Sequence, residues 1–491
     1  MSIMNKKNWK KLLLASIVLI IVGVASFVSF IYISRSDVEV EFWVTCTGEG
    51  GERLEKQQNL TFKPGLSLTS KKISVSADKK FQEIQGFGAA LTDSSAWLIH
   101  EVLNESEYNR IMNALFHPAE GIGMSYLRIP VGSSDCALEF YSYDDTAPNL
   151  DDFSIAHDED YIIPLLKDAK SLNPDLKLMA SPWSAPGWMK IGNNMSDPST
   201  KGLINGTLNP DKYEEYANYL VKFLLSYENL GLSFDAITLQ NEQFYTPNNY
   251  PGMFLNISQT QDFAQILGSA LEDHSLDTRM LILDHNWVYY EDVLEILSDD
   301  NARNQIDGVA WHGYGEASPE YQSIIHNEFP DMAHYFTEIS PLQAYTSFPD
   351  NMAWTYHNIY VGGLRNWAQT ALLWNLALDQ NGGPILTEEN VLRGVITIPQ
   401  EDGSLQAKAK LEGEYYMIGH LSKFVVSGAH RIASSNFEAE LETLAFENPD
   451  GSMVLVVCNP TEFEQNFDVS WDYHTVGTTI PANSLITMKW K

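Results

Sequence analysis

The sequence predicts an α/β protein: a (β/α)8 TIM barrel, a small β-sandwich built from both chain ends, and an N-terminal transmembrane helix. Three observations predict it. Eight β-rich segments, at 83–91, 125–131, 177–182, 235–240, 280–284, 308–312, 334–338 and 371–376, alternate with helical patterns over roughly 300 residues, the span of one barrel. Beyond Arg393 the pattern changes to short strands with turn signals such as Asn448-Pro449-Asp450-Gly451. At the start, residues 12–33 are apolar and contain no charge and no proline.

That apolar run follows Lys6, Lys7, Lys10 and Lys11 and is long enough to span a bilayer. A cleaved signal has a shorter apolar region and a small-x-small site, which Ala25-Ser26-Phe27 matches poorly. Residues 1–11 therefore read as a cytoplasmic tail and 12–34 as a retained signal anchor, with the rest extracytoplasmic or luminal. Secretion after signal cleavage is the alternative. Residues 35–81 read as linker and early strand, with the stretch near 66–75 free to join the sandwich. The barrel is assigned to 82–394, with helices at 94–103, 160–171, 210–227, 259–272 and 293–297, and the C-terminal sandwich to 395–491. An open doubly wound sheet would carry a glycine-rich phosphate turn after its first strand, and Gly86-Phe87-Gly88 lacks the third glycine.

With 491 residues, 44% of them hydrophobic, the chain can bury a large core. Its 64 acidic and 31 basic residues leave a charge of -33, which repels a phosphate backbone and argues against nucleic acid as a partner. Cys46, Cys136 and Cys458 are odd in number and widely spaced, so neither a disulfide framework nor a zinc knuckle is implied. No G-x-S-x-G elbow appears, which removes the commonest signal for serine-based acyl transfer.

In a (β/α)8 barrel the chemistry lies where strands end. The fourth segment runs into Gln240-Asn241-Glu242 and the seventh ends in Thr337-Glu338, so two carboxylates face each other across the barrel mouth. Paired carboxylates are the minimum equipment for glycoside hydrolysis: one protonates the leaving oxygen, and the other attacks or activates water. Their neighbours suit a sugar. Trp183 and Trp374 can stack on its C–H face, while Asp135, Asn241 and Asn375 can take its hydroxyls. His312 and Tyr314 end the sixth segment. A metallohydrolase using Asp284, His285, His312 and Glu338 is a competing reading, but it lacks H-x-H or H-E-x-x-H spacing. A non-catalytic sugar-binding membrane protein is another.

The motifs resemble glycoside hydrolase family 30, the family of acid β-glucosidase (glucosylceramidase) and microbial β-1,6-glucanases. The resemblance rests on Gln85-Gly86-Phe87-Gly88, Leu127-Arg128-Ile129-Pro130 with Asp135, Ala180-Ser181-Pro182-Trp183, Gln240-Asn241-Glu242, His312-Gly313-Tyr314, Thr337-Glu338 and Trp374-Asn375-Leu376-Ala377-Leu378. It implies a retaining β-glucosidase without a cofactor, with Glu242 as acid/base and Glu338 as nucleophile. Asn241 would meet the sugar 2-hydroxyl. Asp135, Trp183, Trp374 and Asn375 would hold the ring, and His312 and Tyr314 would orient the carboxylates. The substrate implied is a β-glucoside, glucosylceramide or alternatively a β-1,6-glucan. Two positions depart from the family pattern: Gln243 stands in place of a proline, and Arg393-Gly394 in place of the Arg-Asn of acid β-glucosidase.

Overall fold

The computed structural model describes residues 16–18, 36–67, 71–344, 347–387, 391–400 and 408–491. Eight parallel strands close a barrel: β1 (Gly86–Ala90), β2 (Tyr126–Val131), β3 (Lys177–Pro182), β4 (Ala236–Thr238), β5 (Arg279–Asn286), β6 (Gly308–His312), β7 (Ala333–Glu338) and β8 (Ala368–Leu373). β1 pairs with both β2 and β8, closing the ring. Gly88 explains the Gly-Phe-Gly sequence, because a Cβ there would lie 1.9 Å from the Tyr126 carbonyl oxygen. The glycine admits a neighbouring strand and has no part in phosphate binding.

The period of two along each strand sorts the interior into layers. Tyr126, Met179, Ala236, Leu281, Ala310, Tyr335 and Leu372 form an apolar floor. Two residues further along, Arg128, Ser181, Thr238, His312 and Thr337 form a buried polar layer, and Trp374 stands on β8's continuation at the mouth. On β5 the step is broken by a bulge between Leu283 and His285, which turns Asp284 inward in place of Leu283.

The second domain is a ten-stranded sheet that uses both chain ends. Val38–Cys46 pairs with Ser484–Trp490 along one side and with Leu60–Pro64 along the other, and Lys72–Glu83 lies between His430–Ser434 and Gln465–Trp471. The C-terminal part of this domain starts later than residue 395. Residues 395–428 instead carry two short strands, Ile396–Thr397 and Lys410–Leu411, and the helix Gly413–Ser422, which lies against β1. Nearly every side chain of that helix is buried, so it shows no apolar-polar period by which a sequence would reveal it. The proposed anchor at 12–34 lies outside the described residues except for Ser16–Val18, which are helical and exposed. Among the described residues no helix is long and apolar enough to cross a membrane.

His420 of the late helix ties the two domains. Its ring nitrogens lie 2.8 Å from the hydroxyls of Thr487 and Thr45, on the last and first strands of the sandwich. Burial lowers its pKa to about 3. The unfolded chain binds that proton near pH 6.5, so this group's stabilisation is complete above that value and declines as pH falls toward 3, by about 1.4 kcal/mol per unit. Thermal melts of His420→Gln are expected to fall less steeply between pH 6.5 and 4 than those of the wild type. Parallel decline in the two proteins would refute this.

Candidate active site

Arg128 is the centre of the buried polar layer. It sits two residues above Tyr126 on β2 and is fully enclosed. Its Nη1 donates to Glu338 Oε2 at 2.5 Å. Its Nη2 reaches Asn241 Oδ1 and Asp284 Oδ2 at 2.7 Å each and Ser181 Oγ at 3.1 Å. The planar fork of arginine can serve partners on three strands and the turn after β4 at once; a lysine ammonium cannot.

Asp284 receives the remaining donors. Ser181 and Thr238 give their hydroxyls to Oδ2 at 2.5 and 2.9 Å, and Thr337 gives its own to Oδ1 at 2.7 Å. Burial alone would raise its pKa, but the Arg128 charge and the hydrogen bonds from His312 and Ser181 hold the carboxyl far below the usual range. An ionised Asp284 can only accept, so His312 Nε2, 3.0 Å from Oδ1, is the donor. That fixes the imidazole with Nδ1 toward the two glutamates, 3.4 Å from Glu242 Oε1 and 3.8 Å from Glu338 Oε1. Burial opposes the charged ring, yet Glu338, Asp284 and Glu242 raise His312 to about 9.

The two glutamates have different surroundings. Glu338 ends β7 and takes a second hydrogen bond from the Tyr314 hydroxyl, 3.0 Å from Oε1. Glu242 follows β4 in a left-handed backbone, φ +47°, held by its amide on the Asp284 carbonyl at 2.8 Å. Beside it lie His312 and also His285, whose Nδ1 is 3.4 Å from Oε1. Burial pushes Glu242 up, and the contacts and charges of the two imidazoles outweigh it, taking it down to about 2.

The sugar-facing candidates divide. Trp183 and Trp374 stack with centroids 5.0 Å apart, and the Arg128 guanidinium lies 4.8 Å from the first ring and 5.5 Å from the second. Asp135 Oδ2 accepts from Trp374 Nε1 at 3.4 Å, while the buried Oδ1 has no partner among the described residues. Burial and the Glu338 charge raise Asp135 to about 7. Asn241 has its Oδ1 taken by Arg128, which leaves Nδ2 as its donor. Asn375 is fully buried, accepts from Thr92 Oγ1 at 2.8 Å and donates one hydrogen to Cys136 Sγ at 3.0 Å.

The metal reading also fails as drawn, because Asp284 and Glu338 are occupied by Arg128 and hydroxyl donors. The sequence reading gives Arg128 no role of its own and offers Asp284 only as a metal ligand. The signal for Arg128 was a lone charge in the apolar segment Tyr126–Val131, at the period-two position above an aromatic.

Two carboxylates with unlike neighbours, converging on one aromatic-lined cup at the mouth of this barrel, define a glycoside hydrolase. The chain belongs to glycosyl hydrolase family 30. The family's TIM-barrel domain matches residues 84–425, and its beta sandwich domain matches residues 428–488. An endo-1,6-beta-D-glucanase of Neurospora crassa is 31% identical over 414 residues, 81% of this chain and 83% of that one. The lysosomal acid glucosylceramidase of Mus musculus is 29% identical over 452 residues, 87% of this chain and 84% of its own. A solved endo-beta1,6-glucanase superposes with a TM-score of 0.82 at 28% identity, covering 92% of this chain and 99% of that one.

Proposed function

We propose that the chain is a retaining β-glucosidase in which Glu338 is the nucleophile and Glu242 the acid/base. The observation that carries these roles is the unlike surroundings of the two carboxylates, Glu338 held by Arg128 and Tyr314 and Glu242 flanked by two imidazoles; His312 Nδ1, 3.4 Å from one and 3.8 Å from the other, keeps both within reach of one bond, a closeness compatible with retention. Retaining enzymes hold the carboxyl groups about 5–5.5 Å apart, whereas inverting enzymes keep about 6.5–9.5 Å for a water.

Arg128 and Tyr314 fix both oxygens of Glu338, which orients the carboxylate for attack on the anomeric carbon. As the C1–O bond breaks, Glu242 delivers to the leaving oxygen the proton held between itself and His312, and a C1–O bond to Glu338 forms. Water then gives a proton back to Glu242, attacks C1 and frees Glu338. Asn241 Nδ2 serves the 2-hydroxyl, and Asp135 Oδ1 accepts from hydroxyls on the far side of the ring.

A β-1,6-glucan is the substrate this reading favours. At Gly394 a Cβ would stand 2.5 Å from the Ile396 carbonyl oxygen and 2.6 Å from the Leu378 amide nitrogen, so no side chain fits where acid β-glucosidase has asparagine. Arg393 is spent on the buried Glu414. Glucosylceramide is the second reading, favoured by an apolar path on the Glu242 side: Tyr289 lies 4.4 Å from His285, Phe244 5.1 Å from Tyr289, and beyond them Phe254 is exposed. Wild-type enzyme incubated with each substrate, with products followed by NMR, separates these readings. Glucose-terminated products from the β-1,6-glucan, appearing first as the β-anomer, are expected. An α-anomer first would overturn retention, and release of xylose or galactose alone from other substrates would overturn the glucose assignment.

Residues 12–34 would hold this site on the extracytoplasmic or luminal side of a membrane, as their length and the lysines before them support. A fused N-terminal tag should then persist in the mature protein on blotting; its loss would mean secretion after cleavage.

A further inference from the structure

His285 has no assigned task. It is 4% exposed, yet neither ring nitrogen makes a hydrogen bond among the described residues. Its Nδ1 is near Glu242 Oε1, at 3.4 Å, without the alignment of a hydrogen bond. An unsatisfied buried imidazole costs stability unless something fills the position. What surrounds it is a set of metal donors.

We propose that Glu242, His285 and His312 form a latent site for a zinc-like divalent cation, and that occupation of this site reversibly inhibits the enzyme. One donor atom from each residue lies within 4.8 Å of the others. The two carboxylate-to-imidazole distances are both 3.4 Å. Donors about 2.0–2.2 Å from a tetrahedral zinc stand about 3.3–3.6 Å apart, so these pairs already have the edge length of such a site. His312 is oriented as a zinc-ligating histidine is: Asp284 accepts its Nε2 proton at 3.0 Å, and the ion would replace the proton that Nδ1 shares with Glu242. Three donors leave a fourth position for water, and Glu242 is the only one of the three whose side chain is appreciably exposed, at 15%, so the ion would enter from that side. Two imidazoles and one carboxylate suit zinc, copper or cobalt rather than magnesium or calcium.

Inhibition follows because the ion would occupy the Glu242 oxygen that must carry the proton; this consequence rests on the role assigned to Glu242 above, while binding itself does not. The test therefore has two arms. In the first, wild-type protein and His285→Phe, which keeps a ring against Tyr289, are titrated calorimetrically with Zn2+, and Co2+ is followed by its d–d absorption. One ion per chain is expected for the wild type, and an affinity about 10–100-fold weaker for the variant. If that variant does not fold, His285→Gln replaces it. In the second, hydrolysis of an aryl β-glucoside is measured against Zn2+ for both proteins, each relative to its own metal-free rate. Inhibition of the wild type, reversed by EDTA and needing about tenfold or more Zn2+ in the variant, is expected. Absence of Zn2+ binding by the wild type, or equal affinity in wild type and variant, would overturn the site. Tight binding without inhibition would keep the site and overturn instead the role of Glu242.

Discussion

Glu338→Gln is expected to lower kcat on an aryl β-glucoside by about 10^3-fold or more, because the amide cannot form the glycosyl ester through which retention proceeds. The substitution preserves volume, and Gln can still meet Arg128 and Tyr314, so a folded protein is expected. Glu242→Gln should behave differently. Its loss should be large for a poor leaving group and small for a dinitrophenyl glucoside, which departs without a proton; added azide should then accept the sugar from the enzyme with retained configuration. Equal dependence of the two variants on leaving group would reverse or void the division of roles. Wild-type hydrolysis by Glu338→Gln would end the assignment altogether.

Arg128→Met is expected to destabilise the fold by about 3–5 kcal/mol and to abolish turnover. The guanidinium bonds directly to both Asp284 and Glu338, and each of these carboxylates is less than a tenth exposed. Removing it leaves two like charges in a dry interior. Arg128→Lys should recover much of the stability but little activity, since an ammonium cannot bridge Glu338, Asn241, Asp284 and Ser181 together. Adding Asp284→Asn to Arg128→Met should restore melting temperature without restoring rate. Thermal unfolding read beside kcat decides it: if Arg128→Met melts within about a degree of the wild type, the charge-compensation account is wrong.

The legibility of this protein in its sequence follows from which features are local. Each barrel strand announces itself as a short apolar run, and Glu242 and Glu338 stand at the ends of two such runs, where this architecture places reacting groups. The indoles Trp183 and Trp374 are legible for the same reason. Helix Gly413–Ser422 falls in the range that the sequence reading gives to the sandwich, and burial on nearly all sides removes the period that marks a helix on a surface. Asn375 follows Trp374 in the sequence, but only the fold, with its φ of +70°, brings its amide to Thr92 and Cys136.

What the sequence determined by itself is therefore the order of strands, the pair of acids and the aromatic cup. Only the tertiary structure decided how the acids differ. Arg128 faces inward because of the register between β2 and its neighbours, and Asp284 faces inward only because a bulge shifts β5 by one residue. A one-residue slip exchanges the two faces of a strand, so the lone charge at Arg128 marks a position but not its partners, and no local pattern reveals that Asp284 faces inward. Yet Arg128 holds one oxygen of Glu338, and Asp284 fixes the orientation of the His312 ring beside Glu242. The carboxylates are visible in the sequence as a pair; their unlike surroundings come from charges brought together across the barrel.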